Sequence, residues 1–315
     1  MKAGRQTTLR DRTAVAGIGV HSGLPVTLTL HPADAGTGVV FIRSAIDGRP
    51  QREIRANAGS VTATELATVL GDASGPGVST IEHIMAALCG LGVDNAVIEL
   101  DGPEAPIMDG SAAAFVDAID QVGIVPLAAP RRYTKVLKPV RVATGDSVGE
   151  LVPYGRGFRV EVEIEFDHPL IGRQAIAVEV GPTTFRRDIA RARTFGFLRD
   201  VSKLWSAGKA LGASLENTLV VTEDRVLNPE GLRYNNEFVR HKALDAIGDL
   251  ALAGAPILGA YRSVRGGHKL NHAVLSALIA DPTAWTVVEE PRRRARGHAG
   301  VTAGLVAPAY VADRS

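Results

Sequence analysis

The sequence predicts an α+β protein built in two units, and three observations carry that expectation. Short alternating strands precede helices in each half, a proline-bearing stretch without periodicity separates the halves, and 315 residues exceed one typical core. The units are expected at residues 1–127 and 133–290, followed by a basic, poorly ordered tail at 291–315 that carries Arg292, Arg293, Arg294 and Arg296.

In the first half, strands are expected at residues 9–14, at 25–30 with Val26, Leu28 and Leu30 alternating, and at 39–42. They read as an antiparallel sheet. Between the first two lies Gly17-Ile18-Gly19-Val20-His21-Ser22-Gly23, a glycine-rich turn around one histidine. No helix follows it, so it is weak as a phosphate cradle, and its glycines need only supply positive φ angles. Ser79-Thr80-Ile81-Glu82-His83 opens a helix running to Gly90, with Ser79 and Glu82 spaced as a capping box. Glu82 is therefore open to two readings, a cap or a functional carboxylate, and His83 is either a hydrogen-bonded core residue or a ligand. A strand at 95–100 follows, then Pro103-Glu104-Ala105-Pro106-Ile107-Met108-Asp109-Gly110-Ser111, whose serine is placed to cap a helix at 112–122. A sheet and two helices complete one α+β unit. Residues 126–132, with two prolines and no periodicity, read as the linker.

The second half opens on strands again, most clearly at 158–166, where Phe158, Val160, Val162 and Ile164 alternate with Arg159, Glu161, Glu163 and Glu165. A helical stretch begins after Pro182. The loop Ala192-Arg193-Thr194-Phe195-Gly196-Phe197-Leu198-Arg199-Asp200 sets two phenylalanines beside a hydroxyl, a pattern that suits either core or an apolar ligand wall. A helix at 235–253 ends at Gly254. A strand at 257–264 then leads through Arg265-Gly266-Gly267-His268 into a last amphipathic helix, and His268 sits where a backbone can approach a ligand closely.

On the helix at 235–253, residues four apart lie about 40° apart, so His241, Asp245 and Asp249 climb one side while Leu244, Ile247 and Ala251 form a separate apolar stripe. One side is expected to pack and the other to bind. An imidazole and a carboxylate one turn apart can grip a divalent cation, with at least one further ligand from elsewhere and Asp249 behind them holding an imidazole in one tautomer. The competing reading is a solvated polar face with an exposed i,i+4 pair worth a few tenths of a kcal/mol.

The formal net charge of +1 gives no reason to expect nucleic acid. A single cysteine, Cys89, rules out an intrachain disulfide and suits a cytosolic address, with the thiol acting as a small buried hydrophobe. The first residues lack the apolar core of a signal peptide, and no run of 18 apolar residues occurs, so no membrane span is expected.

Taken together, the segments around Gly17 to Gly23, Ser79 to His83, Pro106 to Ser111, Ala192 to Gly196, Phe238 to Lys242 with Leu244-Asp245 and Gly248-Asp249, and Gly267-His268 resemble one family. It is the UDP-3-O-acyl-N-acetylglucosamine deacetylases, zinc enzymes that commit Gram-negative bacteria to lipid A synthesis. The six segments fall in order over most of the chain, and together they are highly specific.

The resemblance implies that His83, His241 and Asp245 ligate Zn2+, that Glu82 is the general base and that His268 is the general acid. It further implies Thr194 near the oxyanion, Asp249 orienting His268, Lys242 near the substrate's phosphates, and Phe195 and Phe197 beside the acyl chain or sugar. Arg265 stands where relatives are expected to carry lysine, keeping the charge in a substrate-binding position but changing the hydrogen-bond fork. The implied fold is two similar domains, each a mainly antiparallel sheet with helices, the helices packed between the two sheets and the site at their junction. The implied substrate is an acylated UDP-amino sugar, the implied state a cytoplasmic monomer. His21, His168 and His272 are given no chemistry. The rival enzyme class is a metal-independent acyl or hydratase enzyme using Glu82 and His268 as an acid/base pair. A zinc amidohydrolase acting on another N-acylated sugar is the nearer alternative. A zinc-stabilised binding module is disfavoured, because closed structural sites are usually rich in cysteine.

Overall fold

A computed structural model describes residues 4–44, 51–72 and 75–289, and the basic tail expected at 291–315 lies outside them. The architecture is α+β, with several mainly antiparallel sheets and few helices.

A five-stranded sheet runs in the order Thr13–Ile18, Pro25–Pro32, Ala96–Leu100, Val39–Arg43, Arg52–Arg55. Its pairs are antiparallel except Val39–Arg43 with Ala96–Leu100. The period-two pattern places Val26, Leu28 and Leu30 inward with Phe41, Ile98 and Leu100. The strand expected at 9–14 is two strands, Arg5–Leu9 and Thr13–Ile18. Arg10, Asp11 and Arg12 are exposed at the break. Three consecutive charges cannot share one buried face of a strand, so the chain turns there and Arg5–Leu9 leaves for another partner.

That partner is the stretch read as a linker. Ile124–Pro130 is a strand paired antiparallel with Arg5–Leu9 alone. Ile124–Pro130 pairs with a strand on one side only, and that edge position tolerates Pro126 and Pro130 where a central strand would not.

The second large sheet has seven strands. Val140–Thr144, Ser147–Val152, Ile257–Val264, Arg132–Val136 and Trp285–Glu289 form one path, and Phe158–Glu165 joins Ile257–Val264 to Arg173–Glu179. Along Phe158–Glu165 the expected alternation holds, with Phe158, Val160, Val162 and Ile164 buried and the intervening charges facing outward.

Helix Glu82–Leu91 packs directly on helix Glu237–Leu250, which in turn covers the strands Phe158–Glu165 and Arg173–Glu179. Helix His268–Ala280 lies on Val140–Thr144 and Ser147–Val152, and helix Ala113–Val122 on Thr13–Ile18. One continuous apolar cluster links Leu28 and Ile98 through Ile84 and Leu88 to Leu244, Ile247, Val160 and Val274. Gly248 explains the close approach of the two central helices: a Cβ there would stand 2.0 Å from the backbone oxygen of Glu82. The contact brings the start of one helix against the last turn of the other.

The helix Glu237–Leu250 does not divide into a packing side and a solvated side. His241, Asp245 and Asp249 are as buried as Leu244 and Ile247, each 2% exposed or less. Both faces are enclosed, because a helix sandwiched between another helix and a sheet keeps no free side. Among the described residues, no helix is long and apolar enough to cross a membrane.

Candidate active site

The first turn of helix Glu82–Leu91 supplies Glu82 and His83. The capping box expected from Ser79 and Glu82 does not form. Thr80 sits at φ 59°, which takes the chain out of helical conformation before the helix begins, and the residue in the cap position is Ile81. Ser79 instead donates its hydroxyl to the Pro103 carbonyl at 3.3 Å. The Glu82 carboxylate is thereby free to point into the protein, where its Oε2 accepts the backbone N–H of Thr68 at 3.1 Å.

From the facing helix come His241, Asp245 and Asp249. His241 Nε2 lies 3.3 Å from Asp245 Oδ1, and His83 Nε2 lies 3.8 Å from the same oxygen. The two imidazole rings meet edge to face with centroids 5.0 Å apart. One ligand atom from each of His83, His241 and Asp245 lies within 4.8 Å of the others. His241 Nδ1 donates to the carbonyl of Ala192 at 3.0 Å, and since a carbonyl can only accept, Nε2 is left with its lone pair toward Asp245. That carbonyl is held in place by the next residue: the buried Arg193 donates from its backbone N–H at 3.0 Å and its Nε at 2.9 Å to Glu237, at the start of the same helix.

The cluster fits a divalent cation. Asp245 Oδ1, which both imidazoles face, is buried without a hydrogen-bond partner, an arrangement that costs about 1–3 kcal/mol unless something satisfies it. Tetrahedral donors bonded at about 2.0–2.2 Å stand about 3.4 Å apart, close to the spacings around Asp245 Oδ1. The protonation states agree as well. Burial, reinforced by His241, pushes the His83 imidazole down to about 3, and burial lowers His241 too. For Asp245 burial works in the opposite sense, but His241 and Lys242 outweigh it and hold the carboxyl well below its usual range. Two neutral imidazoles and one carboxylate are what a cation requires of these residue types.

Beside this cluster stand Glu82 and His268. His268 is the first residue of its helix, and its Nδ1 donates to Asp249 Oδ2 at 2.9 Å while Nε2 lies 3.8 Å from Glu82 Oε1 and 3.9 Å from Asp245 Oδ2. Burial opposes a charge on His268, but Asp249, Glu82 and Asp245 outweigh it and push its pKa up to about 10. The helix N-terminus also disfavours the cation, by about 1 kcal/mol or less, under one pKa unit and too little to reverse the three carboxylates. Burial pushes Glu82 up to about 7, with His268 opposing and Asp249 and Asp245 adding. A carboxyl with a raised pKa and an imidazole held in its charged form thus sit side by side next to three residues that could hold a cation.

Across residues 6–280 the chain matches the family LpxC, UDP-3-O-acyl N-acetylglycosamine deacetylase. The chain belongs to this family. Among its relatives are the UDP-3-O-acyl-N-acetylglucosamine deacetylases of Brucella ovis, Brucella abortus and Brucella melitensis. Each is 50% identical over 286 residues, covering 90% of this chain and 98% of the relative.

The remaining residues singled out in this LpxC-family chain are placed as follows. Thr194 is two residues beyond the carbonyl that holds His241, and its backbone pairs with Gly110 and Leu219. Phe195 stacks edge to face on Phe238 at 5.0 Å and stands 6.5 Å from the His241 ring. Phe197 lies further out, against Phe166, His168 and the Arg199 guanidinium. Lys242 donates to Asp245 Oδ2 at 3.0 Å, with its ammonium 5.6 Å from the Phe195 ring centroid. The Arg265 guanidinium turns instead to Glu165 at 2.7 Å and Asp146 at 3.2 Å. A cavity of about 400 Å³ lies at the other ends of the two central helices, lined by Met85, Leu88, Cys89, Leu250 and Trp285, and holds none of these side chains.

Two further contributors, Thr68 and Asn271, are not singled out by the sequence. Thr68 bonds both Glu82 and Asp249, and Asn271 donates to Asp249 Oδ2 at 2.8 Å. Asn271 falls one helical turn after His268, a spacing that could have marked it. Thr68 belongs to a segment without pattern.

Proposed function

We propose that this chain is a zinc-dependent amide hydrolase that removes the N-acetyl group of UDP-3-O-acyl-N-acetylglucosamine, giving acetate and UDP-3-O-acyl-glucosamine, the committed step of lipid A biosynthesis. The observation that carries the reading is the convergence of two imidazoles and a carboxylate from two helices beside a carboxylate and imidazole pair. The names of the relatives supply the substrate class.

His83, His241 and Asp245 would hold the ion. A zinc ion there supplies Lewis acidity, the means by which water becomes nucleophilic near neutral pH and an amide carbonyl is polarised. Glu82 accepts the proton of the attacking water, and its N–H bond from Thr68 leaves Oε1 available for that transfer. An amide nitrogen leaves poorly as an anion, so it must be protonated as the carbon–nitrogen bond breaks. His268 is kept protonated by Asp249 and delivers that proton from Nε2. The Thr194 hydroxyl supports the oxyanion. Phe195 and Phe197 give an apolar flank to the sugar or acyl chain, and Lys242 contributes positive charge toward the nucleotide diphosphate. The chain would divide into units at 1–127 and 133–290 and act as a monomer, in the cytoplasm, an address in keeping with its single cysteine.

The test is mass spectrometry of the product formed from the nucleotide sugar, with and without a chelator. Loss of one acetyl group, abolished by chelation and restored by zinc, is the expected result. Activity that survives complete metal removal would favour the rival acid/base reading through Glu82 and His268. An unchanged nucleotide sugar, with another N-acylated sugar cleaved, would move the substrate.

A further inference from the structure

We infer that Thr68 is a positioning residue that holds the general base and the carboxylate behind the general acid in one fixed arrangement. The inference rests on the roles proposed above for Glu82, Asp249 and His268, and deepens them.

Thr68 immediately precedes the strand Val69–Asp72, in a small three-stranded sheet of Val61–Ala63, Val69–Asp72 and Gly75–Val78. That sheet carries it into the protein, where it is 1% exposed. Each of its polar groups is used by the site. The backbone N–H goes to Glu82 Oε2 at 3.1 Å, the hydroxyl goes to Asp249 Oδ1 at 2.6 Å, and the carbonyl accepts the N–H of Ile81, the residue before Glu82, at 3.4 Å. Asp249 in turn uses its other oxygen for His268 and Asn271, and Asn271 Oδ1 accepts the Tyr261 hydroxyl at 2.6 Å. The result is an unbroken chain of hydrogen bonds from Glu82 through Thr68 and Asp249 to His268.

The geometry matters because a carboxylate has two rotatable bonds beyond its Cβ or Cα and could present either oxygen to its neighbours. Fixing Oδ1 of Asp249 on Thr68 dedicates Oδ2 to the imidazole of His268. Fixing Oε2 of Glu82 on the same residue dedicates Oε1 to the space in front of His268 Nε2. One residue, through its backbone N–H on Glu82 and its hydroxyl on Asp249, therefore sets the distance between proton acceptor and proton donor, and a misplacement of about 1 Å in such a pair costs on the order of a hundredfold in rate.

A residue serving only as core filler would be replaced without loss by valine, which has the same shape. The experiment compares zinc-loaded Thr68→Val and Thr68→Ser with the parent in kcat, KM, bound zinc per chain, and the proton NMR signal of the His268–Asp249 hydrogen bond. Thr68→Val is expected to lower kcat by about ten- to a hundredfold, with KM and zinc content unchanged and the His268 signal displaced. Thr68→Ser, which keeps the hydroxyl, is expected to restore both kcat and the signal. In an Asp249→Ala background, Thr68→Val is expected to cost little further. A Thr68→Val enzyme with parental kcat and an unmoved His268 signal would overturn the inference, as would equal defects in the valine and serine variants. Should valine prevent folding, Thr68→Ala read against Thr68→Ser tests the same point, and equal kcat in those two overturns it. If the parent fails to act on the nucleotide sugar, the function proposed above falls, and the His268 signal in the Val and Ser variants still decides the role of Thr68.

Discussion

Glu82 and His268 show how position alone tips two buried side chains toward opposite charge states. Both are nearly enclosed, at 3% and 9% exposure, yet burial wins for the carboxyl and loses for the imidazole, which faces three carboxylates. Neither residue is among the three that converge on the cation position. Removing either should therefore damage proton transfer and leave metal binding intact. Glu82→Ala and His268→Ala are each expected to lower kcat by about 10²- to 10⁴-fold while retaining one zinc per chain. Stopped-flow or endpoint kinetics with metal analysis of the same samples checks this, and near-parental rates in either variant would strip that residue of its role. The residue scale was also where the sequence misled. The Ser79 and Glu82 spacing reads as a cap, and nothing in the residue types announces that Thr80 adopts φ 59° and cancels it. Glu104 is the hidden reason: it accepts the Thr80 hydroxyl at 2.7 Å and the backbone N–H groups of His21 and Ser22 at 3.0 and 2.8 Å, so a residue 24 positions away settles how the helix starts.

Between elements, the decisive contact is that of Gly248 with the Glu82 backbone. On an exposed helix, replacing an interior glycine with alanine stabilises by about 1 kcal/mol. Here the added Cβ would lie 2.0 Å from a backbone oxygen, which no rotamer change can relieve, and overpacking of this kind costs about 1–3 kcal/mol. Gly248→Ala is thus expected to invert the usual sign, lowering stability in denaturant titrations and weakening zinc affinity as the helices part. A more stable variant with unchanged zinc affinity would contradict it. A second link joins the loop before helix Ala113–Val122 to the segment leading into helix Glu237–Leu250: Asp109 accepts from Ser111 and, at 2.7 Å, from Arg233. Burial raises the Asp109 carboxyl, but the bonds from Ser111 and Arg233 outweigh it and hold it below its ordinary value. A carboxyl lowered in the folded state adds stability above its unfolded value of about 3.9, and that stability disappears as pH falls through the folded value. Asp109→Asn should accordingly lose less in Tm than the parent between about pH 5 and about pH 3, and parallel Tm profiles would refute the linkage.

Across the whole molecule, strands and the major helices were legible wherever one face is apolar and the other is not, as in Pro25–Pro32 and Phe158–Glu165. Pairing was less so. Nothing local shows that Ile124–Pro130 finds Arg5–Leu9, since a ribbon edge tolerates the same prolines that a linker does. The candidate cation site was half legible, as His241 and Asp245 share a helical spacing, whereas His83 is 158 positions from His241 and only the fold unites them. That separation has a thermodynamic consequence. A metal held by residues so far apart in sequence has its binding site in the folded chain and not in the unfolded one, so its binding free energy adds to the stability of the whole. With free zinc a hundredfold above its dissociation constant, the gain is about 2.7 kcal/mol, or roughly 5 °C in Tm for a chain of this size. Chelation is therefore expected to lower the Tm of the parent by several degrees and zinc to restore it, while His83→Ala, with the first-half ligand gone, should melt at the same temperature under both conditions. Calorimetry on the two proteins decides the matter, and a parent whose Tm ignores chelation would show that the three converging side chains hold no metal that the fold depends on.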